Sequence, residues 1–75
     1  MKLELESTDR IVEVNGVPAR LWEGRTASGI PVTALIVQLA VHQDQDQSQF
    51  QAELLETKPP SPMAEAAFPL LRMAL

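Results

Sequence analysis

The chain has 75 residues, six Lys plus Arg against ten Asp plus Glu for a net charge of −4, and no cysteine. The missing cysteine excludes disulfides, thiolate zinc sites and thiol nucleophiles, and the acidic balance has the wrong sign for a chain that works by neutralising nucleic-acid phosphates. A domain this short buries only about 60% of its unfolded surface, so a partner or a second copy is expected to supplement its core.

The first 42 residues read as β-structure, because β-branched side chains dominate them and turn chemistry punctuates them. Leu3 and Leu5 alternate with Lys2, Glu4 and Glu6, the period of a strand with one wet face. Ile11, Val12 and Val14 follow. Asn15-Gly16 then supplies two residues that tolerate positive φ, which predicts a type I′ hairpin turn. Beyond it Val17, Ala19 and Leu21 share one strand face, and Pro18, Arg20 and Trp22 the other. Pro18 has no amide hydrogen and so calls for an edge position or an outward-pointing nitrogen. Residues 24–29, Gly-Arg-Thr-Ala-Ser-Gly, read as a mobile, exposed connection.

Residues 30–42 form the most apolar segment, with hydrophobic residues in both alternating sets. A helix over 34–41 fits this pattern, but Val32, Thr33, Ile36, Val37 and Val41 lose rotamer freedom in helices. A long strand covered on both faces is therefore preferred, by the following helix on one side and by a second copy on the other. Ser48 with Gln51 has the spacing of a capping box, which predicts a helix over 48–57 carrying Phe50, Leu54 and Leu55. Asp44 and Asp46 stand near its positive end, and Pro59 stops it. Residues 59–62 read as an extended Pro-rich linker. The remaining 63–75 form an apolar arm, with Phe68, Leu70, Leu71 and Met73 to be docked on this chain or another, and Pro69 favouring a strand or extended form over a helix.

Few residues have the makings of a reactive site. His42 is the sole histidine, and a triad with Asp44 and Ser28 or Ser48 would still need an oxyanion hole and a cleft. Asp44, Asp46 and Ser48 have the one-three-five spacing of a calcium loop, but Gln49 and Leu55 stand where that loop needs glycine and a bidentate glutamate. Gly24, Arg25 and Gly29 match no phosphate-binding spacing and fit a hairpin loop, with Arg25 as a contact residue. Trp22 beside Arg20 has the composition of an interface anchor as well as of a core residue. No catalytic residue, cofactor or metal site is assigned. The start of the chain has alternating charge instead of a basic region before an apolar stretch, so no secretory signal is expected. The longest apolar run is about a dozen residues, too short for a bilayer. The expected setting is the cytoplasm or an assembly built there.

Residues 14–24, Val-Asn-Gly-Val-Pro-Ala-Arg-Leu-Trp-Glu-Gly, with 26–32 and the ending Pro69-Leu70-Leu71-Arg72-Met73, resemble uncharacterised small proteins of tailed phages and prophages. The resemblance implies a phage setting, in a host cytoplasm or a virion, and carries over no catalytic residue.

The expected fold is α+β: an antiparallel sheet of three to five strands with one helix, 48–57, packed on it, and the apolar arm. Residues 1–58 would form the domain. The expected function is a non-enzymatic interaction module that self-associates or binds a protein partner through Trp22, Arg20, Arg25 and the arm residues Phe68, Leu70, Leu71 and Met73, with no direct nucleic-acid or membrane contact. The alternative is an acidic inhibitor of a host nucleic-acid-binding enzyme, offering Asp44, Asp46, Glu53 and Glu56 as phosphate substitutes.

Overall fold

The computed structural model describes residues 1–67. Three strands, β1 (Leu3–Val14), β2 (Val17–Thr26) and β3 (Pro31–Ile36), form an antiparallel sheet in the order β1-β2-β3. Two short helices follow, α1 (Gln47–Leu54) and α2 (Pro62–Ala67). The architecture is broadly α+β with a three-stranded antiparallel sheet, as the sequence predicts, and a second short helix that it does not. The arm residues 68–75 lie outside the described residues.

The first turn is set by Asn15 and Gly16, whose φ angles of 50° and 81° let Val14 face Val17 across the hairpin. The register then alternates side chains as expected. Val17, Ala19, Leu21 and Glu23 share one face with Thr33 and Leu35, while Pro18, Arg20 and Trp22 share the other with Ala34 and Ile36.

The two apolar stretches of the N-terminal region belong to a single strand that contains a bulge. Ser7 pairs with Trp22 and Ile11 with Arg20, so Thr8, Asp9 and Arg10 together oppose Leu21. Because two extra residues are inserted, the face alternation is the same on both sides of the bulge. Thr8 is fully buried. Its Oγ1 donates to the Leu21 carbonyl at 2.7 Å and accepts the Arg10 N–H at 3.2 Å.

The connection expected over 24–29 is shorter than those bounds. Gly24 and Arg25 lie inside β2, and only Ala27, Ser28 and Gly29 turn the chain. Thr26 closes this turn by accepting from Gly29 N–H at its carbonyl and donating its own N–H to the Ile30 carbonyl, both at 2.9 Å. Gly29 takes φ 92°, the left-handed position of a three-residue hairpin loop. Gly24 is required for a different reason: a Cβ there would overlap the backbone of Glu4 on β1.

The long strand expected over 30–42 is likewise shorter. It pairs only from Pro31 to Ile36, and residues 37–42 are neither strand nor helix. In a two-residue hairpin Val14 and Val17 bond to each other, so alternation turns the Pro18 nitrogen toward β3. The next hydrogen-bonding position after Arg20–Ile36 therefore falls on a residue without an N–H, and the ladder ends.

The first helix is also shifted. Asp46, not Ser48, is its N-cap, accepting from Ser48 N–H at 3.0 Å and Gln49 N–H at 3.1 Å through Oδ1, and Leu55 is its C-cap. The helix buries none of its residues completely. The end of the supposed linker starts a second helix, with Ser61 at its cap and Pro62 in the first helical position, where a missing N–H costs nothing. Ser61 Oγ accepts from Ala64 N–H at 3.2 Å. Among the described residues the fully buried side chains are Ala19, Leu21, Ala64 and Thr8.

Two substitutions test this frame. Thr8→Val keeps the shape but removes the donor to the buried Leu21 carbonyl, and is expected to cost about 1–3 kcal/mol in urea unfolding. Gly24→Ala is expected to cost a similar ~1–3 kcal/mol through overpacking, with loss of amide-exchange protection in the paired residues around Leu5.

Candidate functional site

Trp22 and Arg20 project from the same face of β2, and that face forms one wall of an open groove of about 580 Å³. Ile11 and Pro18 lie at one side, Ile36, Val37 and Leu39 at another, and α1 supplies Phe50, Glu53 and Leu54. The groove is thus walled by apolar side chains with a few polar groups at its margin. Trp22 and Phe50 are half-buried in it. Ser7, also in the lining, donates its hydroxyl to the Glu56 carbonyl at 3.1 Å, which ties the end of the α1 region to this side of β1.

Arg20 has a structural duty here. Its Nη1 donates to the Thr8 carbonyl at 2.7 Å, so the guanidinium clamps the bulge from the face that it shares with Trp22. Arg25 does not join these two. Five positions from Arg20, it points to the opposite face, opposite Glu4 of β1 and Pro31 of β3. Phe68, Leu70, Leu71 and Met73 lie outside the described residues.

The four acids of the alternative reading have separate surroundings. Asp46 is engaged as the helix cap, and bonds from the Ser48 hydroxyl, the Gln49 N–H and the Ser48 N–H hold its carboxyl below the usual range. Asp44 is exposed and accepts from Gln45 Nε2 at 3.4 Å. Glu53 lines the Trp22 groove, and Glu56 offers its backbone carbonyl to Ser7. His42 contributes its carbonyl to a turn, accepting from Gln45 N–H and Gln47 Nε2, both at 3.2 Å. Among the described residues no three His, Cys, Asp or Glu side chains gather as metal ligands. No described helix is long and apolar enough to cross a membrane.

A second polar constellation occupies the opposite face. Glu23 shares that face with Ala19 and Leu21, and its side chain is only 16% exposed. Its Oε2 accepts the Ser61 N–H at 2.8 Å, and Lys58 Nζ stands 3.8 Å from Oε1 and 3.7 Å from Glu6. The backbone of Lys58 pairs in parallel with Thr8 and accepts the Asp9 N–H at 2.9 Å. Arg10 Nη1 donates to both oxygens of Glu65 on α2, at 2.6 and 2.8 Å. Together these bonds hold residues 58–65 against the sheet, where the sequence predicts an extended linker over 59–62 and an arm from 63. One sequence signal was available: Glu23 is in phase with Val17, Ala19 and Leu21, so a charge falls on the buried face and needs a partner.

No protein-family model matches the chain, and neither a curated protein nor a solved structure is significantly similar to it.

The Glu23 latch has a pH signature. The Ser61 N–H, chiefly, and then the Ser61 side chain and Lys58 lower the Glu23 pKa, against a smaller opposing effect of burial. A carboxylate whose folded pKa is depressed stabilises the fold above its unfolded value, near 4.5, and that contribution is lost as the pH falls through the folded pKa. Thermal unfolding of Glu23→Gln and the parent should therefore differ most at neutral pH. The gap should close as acid protonates Glu23, and a gap independent of pH would refute the latch.

Proposed function

We propose that the protein is a non-enzymatic interaction module that self-associates or binds a protein partner through the Trp22 groove. The observation that carries this reading is the mismatch between buried and exposed apolar side chains. The described residues bury only Ala19, Leu21 and Ala64 among the hydrophobics, while Ile11, Val37 and Leu39 remain 50%, 58% and 48% exposed around one aromatic. Scattered apolar side chains are normal on a surface, but several around a concave tryptophan site match the core of a protein interface.

Trp22 would act as the anchor, with Leu39, Val37 and Phe50 excluding water around it. Arg20 would contribute through the bulge it clamps. Arg25, on the other face, would be a peripheral contact, and the apolar side chains of the arm, Phe68, Leu70, Leu71 and Met73, would add to the same interaction. The phage-like pattern of residues 14–32 supports a role in a phage-infected cell or a virion, as a minor structural or regulatory factor.

Light scattering of the parent, Trp22→Ala and Leu39→Lys at low and high salt tests this reading. The parent is expected to assemble, and to remain assembled in high salt, because apolar burial is not screened. Both variants should reduce the assembled mass while circular dichroism stays that of the parent. Leu39 is a rim residue outside the strands, so its variant keeps the test informative if the loss of Trp22 disturbs folding. Assembly unchanged in both variants would overturn the role of the groove.

A further inference from the structure

We propose that the open edge of β3 pairs with β3 of a second copy, in an antiparallel two-fold arrangement centred on Ala34. This goes beyond the groove reading, because it assigns a second and independent surface to self-association. The inference starts from the two edges of the sheet. The outer edge of β1 is occupied at its bulge, where Lys58 pairs with Thr8 and accepts from Asp9 N–H. On β3, alternation directs Val32, Ala34 and Ile36 toward β2, which leaves the backbone groups of Thr33 and Leu35 facing outward. Among the described residues no bond is made to these outward groups.

Edges of this kind are normally blunted by lysine, by bulges or by inward charges. Here no charged residue occurs from Thr26 through Gln43, in a chain that carries a net charge of −4 elsewhere. Like charge would oppose two copies meeting along β1, whose strand holds Glu4, Glu6, Asp9 and Glu13. Along β3 it would not. Within the strand, a two-fold set on Ala34 matches Thr33 with Leu35 and Leu35 with Thr33, so that each outward donor of these residues meets an acceptor. The contact is isologous and closes at the dimer. It extends the sheet without a break and sets the two Trp22 grooves on the same face.

The experiment is amide exchange by NMR on the full chain at low and high concentration, with light scattering on the parent, Thr33→Pro and Trp22→Ala. Proline at 33 removes an outward N–H and leaves the bonds of Ala34 and Ile36 to β2 in place. The expected result is that the Thr33 and Leu35 amides gain at least tenfold protection on concentration. Ala34 and Ile36 should be protected throughout, and Thr33→Pro should lose the concentration-dependent mass. Three results would overturn the pairing: outward amides that exchange fast in an assembled parent, outward amides protected equally in a monomer because the chain's own residues cover the edge, or a parent that stays monomeric at high concentration. The two proposals fail separately. Assembly lost in Trp22→Ala without protection of the outward amides leaves the groove and removes the edge, whereas protection with unchanged assembly in Trp22→Ala does the reverse.

Discussion

The hydrogen bond from Thr8 Oγ1 to the carbonyl of Leu21 is the interaction on which the rest of the molecule is arranged. A bulge that sets three residues against one takes a backbone donor away from the central strand, and a buried carbonyl left alone is costly. The threonine hydroxyl replaces that donor within the sheet. The freed backbone of the bulge can then turn to other partners: the Thr8 carbonyl to Arg20, and the Asp9 N–H to the carbonyl of Lys58. The second of these brings the chain from the groove side of β1, where Ser7 holds the Glu56 carbonyl, past the strand edge to the opposite face. Glu23 and Arg10 then receive Ser61 and Glu65 there. A single irregularity in β1 thus sets the position of α2.

This arrangement explains why the two faces differ in character. The Ala19–Leu21 face carries short, directional contacts to residues 58–65, with Ala64 buried and a carboxylate satisfied by a backbone N–H. Its ion pairs are largely exposed and each contributes on the order of 0–1 kcal/mol, so they orient the segment more than they stabilise it. The Trp22 face is covered less. The neighbouring α1 is eight residues long and buries none of them, and the 37–42 segment leaves its apolar side chains in solvent. A chain this short has little apolar surface to bury on its own. Among the side chains the fold leaves uncovered, Ile11, Val37, Leu39 and Leu54 gather around the groove, and the groove proposal places its contacts there.

Much of the sheet was legible because its determinants are local. Asn15-Gly16 accepts the positive φ of a tight hairpin, and the turn imposes the register that separates Ala19 and Leu21 from Arg20 and Trp22. The pairing of Trp22 with Arg20 on one face was therefore readable, as was the antiparallel α+β class. The limits of the elements were less so. Asp46 displaced Ser48 as helix cap because both are good capping residues two positions apart, and Asp46 Oδ1 also accepts from the Ser48 hydroxyl. The Ser61-Pro62 helix start was hidden inside a Pro-rich run that also fits an extended linker. In that case the capping chemistry at Ser61 outweighed the linker composition.

What the sequence by itself determined, then, was whatever depends on neighbours a few residues apart: the hairpin turns, the alternation of faces, the existence of a helix after Asp46 and the absence of thiol chemistry. Only the tertiary structure decided the features that require distant residues to meet. Thr8 has no visible reason to be buried until Leu21 loses its strand partner. Arg20 reads as a surface contact until the Thr8 carbonyl turns toward it. Glu23 is a misplaced charge until Ser61, 38 residues later, brings its N–H to the carboxylate. Even the end of β3 depends on Pro18, whose missing donor matters only once the register aims it at that strand. Local preferences act within a turn or a strand, whereas hydrogen-bond satisfaction of buried groups is settled between segments, and only the folded chain brings those segments together.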